Sequence, residues 1–100
     1  MTKEITTESS AIRFSVDNDI LTVSLIGNGE NAFSDFVKVH DEMRMILRSI
    51  ASNRVYSATV VYDSGWEKVI NCVMYEIAEV IPKGTKIELK KEKDRMKILY

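Results

Sequence analysis

The chain of 100 residues holds a single cysteine, Cys72, and a single histidine, His40, with one proline and one tryptophan. One cysteine excludes an internal disulfide framework, and one cysteine beside one histidine falls short of the spaced ligand sets that structural zinc and haem require. No metal and no cofactor are expected. No apolar run approaches the ~18–20 residues of a membrane span, and the polar start Met1-Thr2-Lys3-Glu4 lacks the apolar region of a secretory signal, so a cytoplasmic protein with no membrane partner is expected. Glycine is scarce too, at 4 residues, which excludes fibrous repeats and flexible linkers.

What is present is enough for one core. Hydrophobic residues make up 45% and charged residues 29%, the balance of a single globular domain. The net charge of −1 hides a division: residues 1–82 carry seven Lys and Arg against twelve Asp and Glu, whereas residues 83–100 carry seven against three. The basic end is either a partner-facing edge or a solvated strand whose lysines discourage edge pairing.

Residues 1–10 are polar without a sustained period and read as a disordered tail, leaving 11–100 as a single α/β domain. Ile12, Phe14 and Val16, then Leu21, Val23 and Leu25, alternate with polar residues on either side of Asp17-Asn18-Asp19, the pattern of a β-hairpin. After Gly27-Asn28-Gly29-Glu30-Asn31, a helix is expected from about Phe33 to Ser52, capped by Ser34 and closed at Asn53. Its apolar stripe runs through Phe33, Phe36, Val39, His40, Met43, Ile46, Leu47 and Ile50. A third strand spans Val55 to Tyr62. Ser64-Gly65-Trp66-Glu67 then fits a capping box that opens a second helix, ended by Pro82-Lys83-Gly84. That helix buries Trp66, Val69, Ile70, Val73, Met74, Ile77 and Ile81 and projects Lys68, Cys72, Tyr75 and Glu79. Ile87 and Leu89 mark a fourth strand, and Met96, Ile98 and Tyr100 alternate as a fifth while Met96, Leu99 and Tyr100 also suit a helix.

Every strand alternates, so one sheet face is wet, unlike the doubly covered strands of a doubly wound sheet. Two right-handed crossovers in one direction place both helices on the same side. The expected fold is therefore a two-layer α/β (α+β) sandwich of order ββαβαβ, with a mixed four- or five-stranded sheet and both helices on one face.

Chemistry is thinly represented. Gly27-Asn28-Gly29-Glu30-Asn31-Ala32 matches the spacing of a dinucleotide-binding turn, but Glu30 would repel a phosphate and no acid follows about 20 residues on. The glycines read better as a strand-to-helix turn. His40 lacks a nucleophile and an orienting group, and Cys72 falls on another face, so no catalytic residues are expected and the chain reads as no enzyme. Met45, Cys72 and Tyr75 interrupt polar helix faces and could form a contact patch with a partner or a second copy.

The segments Ile12-Arg13-Phe14-Ser15-Val16 and Asp19 to Gly27, then a helix, a strand and Asp63-Ser64-Gly65 at the head of the next helix, resemble the STAS domain of anti-sigma-factor antagonists over most of residues 12–90. The resemblance implies a small non-enzymatic module that binds and regulates or inhibits a partner protein, with Ser64 phosphorylated to break the complex and Asp63 before it. Asp63, Ser64, Trp66, Cys72 and Tyr75 are then the candidate switch and contact residues. The alternative is an Alba-like nucleic-acid binder using Lys83, Lys86, Lys90, Lys91, Lys93, Arg95 and Lys97, opposed by a pI near 5.8.

Overall fold

A computed structural model describes residues 1–27, 29–51 and 55–92. It consists of β1 (Thr2–Thr6), β2 (Ser10–Asp17), β3 (Ile20–Gly27), α1 (Ala32–Ile50), β4 (Ser57–Tyr62), α2 (Ile70–Ala78) and β5 (Lys86–Lys91). Short 3-10 turns at Gly29–Asn31 and Trp66–Val69 precede the two helices.

The strands lie side by side in chain order, β1-β2-β3-β4-β5. The first three are antiparallel neighbours, and the β3–β4 and β4–β5 pairs are parallel. Asn18 and Asp19 turn the β2–β3 hairpin with φ of 52° and 62°, the left-handed pair that matches strand twist. Ile12, Phe14, Leu21, Val23, Ala58 and Val60 are buried on the helix side, whereas Arg13 is exposed and Ser15, Thr22, Ser24 and Thr59 are only half-buried on the other. This is the expected two-layer α/β sandwich.

The expected tail at residues 1–10 is instead an edge strand. Thr2 to Thr6 pair with Ser15 to Ala11, and Ile5 is buried over Ile12. One apolar residue cannot show a period, so β-branched threonines were the remaining signal. The return to β2 is held by Asp35 in the first turn of α1, whose Oδ2 accepts hydroxyl bonds from Thr7 (3.2 Å), Ser9 (3.0 Å) and Ser10 (2.7 Å). Burial pushes the Asp35 carboxyl up, but the hydroxyls of Ser10, Ser9 and Thr7 together with the Lys38 charge outweigh it and hold the pKa below the ordinary value. Asp35→Ala is expected to destabilise the protein by about 2 kcal/mol, because three hydroxyls lose a shared acceptor. Urea unfolding measures the loss, and an unchanged midpoint would remove Asp35 as the clasp.

Other boundaries move for local reasons. Helix α1 starts at Ala32, and Ser34, expected as its cap, donates backward to the Asn31 carbonyl at 3.2 Å. Phe33, placed in the buried stripe by spacing, is 63% exposed. The expected stop at Asn53 lies outside the described residues. Strand pairing in β4 begins at Ser57 although Val55 is already buried. The second helix opens late because Gly65 sits at φ 97°, so a 3-10 turn intervenes and α2 begins only at Ile70. The expected capping box does not form: no side-chain cap meets the turn, and the Glu67 carboxylate instead accepts the Gly65 amide at 2.6 Å. Strand β5 pairs with β4 as expected. The last expected element, over Met96 to Tyr100, lies outside the described residues.

Candidate interaction surface

The loops leaving β3 and β4 meet at the carboxyl ends of the parallel strands. Asp63 locks them, its backbone amide donating to the Leu25 carbonyl at 2.9 Å and its Oδ2 accepting the Gly27 amide at 2.8 Å. A Cβ on Gly65 would lie 2.6 Å from Gly29 Cα, and one on Gly27 would lie 2.5 Å from the Ser9 carbonyl oxygen. The backbone room that a pyrophosphate would need is thus filled by the protein's own chain. Both crossovers also run the same way, so among the described residues the sheet has no switch point where a ligand crevice opens. Asp63, expected among the contact residues, serves chiefly to join the two loops.

Ser64 is exposed directly after this lock. Beside it, Glu67 bridges the Gly65 amide and Lys91 Nζ, the latter at 2.7 Å. The Lys91 hydrogen bond, helped by backbone amides, lowers the Glu67 pKa to about 2, and Lys91 is raised in return.

Trp66, expected as a partner anchor, is fully buried between the layers and touches no solvent. Its Nε1 has no hydrogen-bond partner among the described residues. The indole is a core residue, and a large side chain at the start of an amphipathic stripe already carried that reading.

Cys72 and Tyr75 are exposed on α2, and Tyr75 is 63% accessible. The nearby Glu79 carboxylate, as acceptor and as charge, raises the tyrosine pKa. Both residues line an open cleft of about 330 Å³ between α1 and α2, together with Phe36, His40, Asn71 and Glu76. Phe36 and His40 stack at a tilt with ring centroids 5.3 Å apart. Met45, grouped with Cys72 and Tyr75 from the sequence, is exposed but does not line the cleft.

The floor of the cleft is polar. Glu76, only 5% exposed, accepts from Arg44 Nε at 3.0 Å and Nη2 at 3.1 Å, and from His40 Nε2 at 2.9 Å. A carboxylate only accepts, so that histidine nitrogen carries a hydrogen. The Arg44 bonds, with His40 assisting and burial opposing, hold the Glu76 pKa at about 2. Arg44 is raised by the same pairing. His40, placed in the apolar stripe of α1 by its spacing, therefore cross-links the two helices. The position of Glu76, three residues after Val73 and one before Ile77, marked it as inward-facing, but nothing in the sequence pointed to Arg44 and His40 as its partners.

The basic residues do not share a face. Lys86 and Lys90 alternate onto the open side of the sheet with Glu88 between them, Lys91 points to the helix side and is held by Glu67, and Lys83 lies in the preceding turn. Lys93, Arg95 and Lys97 lie outside the described residues. Among the described residues no group of three His, Cys, Asp or Glu side chains could hold a metal ion, and no helix is long and apolar enough to cross a membrane. No protein-family model, no curated protein and no solved structure matches the chain.

Proposed function

We propose that the protein is a non-enzymatic interaction module, a small regulator or inhibitor that docks on a partner protein through the carboxyl-end loops of β3 and β4 and the exposed side of α2. The observation that carries the reading is the α1–α2 cleft, apolar at Phe36, rimmed by the exposed Tyr75 and floored by a neutralised carboxylate. It suits an apolar or aromatic side chain of a partner, with Tyr75 as an anchor and Cys72 beside it. The floor offers no free charge to an incoming anion, because Arg44 is already held by Glu76.

The resemblance to STAS domains supports Ser64 as the regulated position, and its exposure next to that surface supports it further. A phosphate there would add a charge of about −1.5 to −2 beside the carboxylates of Asp63 and Glu67. Accordingly, Ser64→Ala is expected to keep a partner that Ser64→Asp releases, with affinity differing by about tenfold or more. The measurement is affinity capture with four baits: the unmodified chain, Ser64→Ala, Ser64→Asp and Tyr75→Ala. A protein retained by the first two and lost with the last two meets the expectation. Retention indifferent to Ser64 and Tyr75 would sink the proposal, and salt-sensitive retention of nucleic acid alone would install the Alba-like alternative.

A further inference from the structure

We propose that β5 pairs antiparallel with β5 of a second copy, Leu89 opposite Leu89 across a two-fold axis, joining two five-stranded sheets into one. This goes beyond the docking surface and uses none of Ser64, Cys72 or Tyr75.

Strand β5 is the last in the sheet and bonds only β4 among the described residues. The Glu92 amide reaches the Tyr62 carbonyl at 2.8 Å, so by alternation Glu92, Lys90, Glu88 and Lys86 turn their backbone groups toward β4. Ile87, Leu89 and Lys91 consequently present theirs outward. Leu89 stands on the helix side of the sheet, in register with the fully buried Val60, yet is 41% exposed. A buried register position left half-open at an edge is an apolar contact without a neighbouring strand among the described residues.

The charges select the neighbour. With Leu89 on the axis, Glu88 faces Lys90 of the second copy and Lys86 faces its Glu92, and the symmetry repeats both pairs. Leu89 meets Leu89 on the helix side, and the outward groups of Ile87, Leu89 and Lys91 form roughly six backbone hydrogen bonds. An axis on Glu88 would set Glu88 on Glu88 and Lys86 on Lys90. An axis on Lys90 would set Lys90 on itself and Glu88 on Glu92. An axis on Ile87 would run the pairing into Gly84, which lies outside β5 with φ 87°. At the opposite edge, Lys3 and Glu4 of β1 point to different faces and cannot pair with each other across a two-fold axis. The lysines of β5, which alone would repel a neighbouring strand, are thus interleaved with glutamates in a self-complementary order.

The test is sedimentation velocity on the full chain over a wide concentration range, with circular dichroism to check the fold of each variant. The unmodified chain is expected to dimerise with concentration. Glu88→Lys and Lys90→Glu each turn two attractive pairs into two repulsive ones, and each is expected to raise the dissociation constant by about tenfold or more. Mixing the two variants is expected to restore the dimer, because the lysine-bearing edge of one then faces the glutamate-bearing edge of the other. The double variant is expected to dimerise as well. A chain that stays monomeric throughout, a dimer indifferent to both single changes, or a mixture with no recovery would each overturn the proposal.

Discussion

Gly29→Ala is expected to destabilise the protein by about 3 kcal/mol or more, since the new methyl would be driven into the backbone of Ser64 and Gly65. That neighbour is main chain and cannot swing aside as a side-chain tip would. Gly65→Ala carries the reciprocal clash with Gly29 and adds the cost of φ 97° for a residue with a Cβ. Because either change separates the same two loops, the double variant should cost less than the summed singles. Gly84→Ala is the control: φ is 87° but nothing stands within 4 Å, so only the backbone penalty of about 1–2 kcal/mol remains. Urea midpoints measure all four. A Gly29→Ala chain as stable as Gly84→Ala would mean that the loops do not touch. The loop carrying Ser64 would shift with its support, so partner binding should weaken along with stability.

Glu76→Ala is expected to cost about 2–3 kcal/mol, as three donor nitrogens of Arg44 and His40 lose their acceptor in a semi-enclosed site. Glu76→Gln keeps the shape and removes the charge, and should cost less. The pH dependence follows from the pKa of about 2 in the folded chain against an ordinary 4.5. Stabilisation by this carboxylate is complete above about pH 4.5 and is lost as pH falls toward 2, where the folded state gives up its advantage in holding the charge. Unfolding followed from pH 6 down to 2 should therefore show a steeper decline for the unmodified chain than for Glu76→Gln. Parallel curves would remove Glu76 from the acid response.

Much of the fold was legible because alternation survives wherever one sheet face is wet. Ile12, Phe14, Leu21, Val23, Ala58 and Val60 stand where their period placed them, and the two same-handed crossovers follow from strand order. β1 was hidden because its edge position asks for only one buried residue, Ile5. Phe33 misled because spacing assigns a face without saying how far the neighbouring element extends over it. The surface is readable in part: Cys72 and Tyr75 stand exposed as their helical positions require, whereas Trp66, assigned by its spacing to the buried stripe, belongs to the core and not to the contact residues. The Arg44–Glu76–His40 cross-link and the Asp35 clasp join residues 25 to 36 positions apart. Contacts of that kind are set by helix packing, and no local pattern encodes them.

A sheet whose strands follow chain order never requires a later segment to thread between two earlier ones. Each strand can be added to the finished edge of the one before, so a chain emerging from synthesis can build its sheet outward from the β2–β3 hairpin without first undoing anything. Growth by edge addition also has a natural successor: among the described residues, β5 presents the same kind of edge that received it.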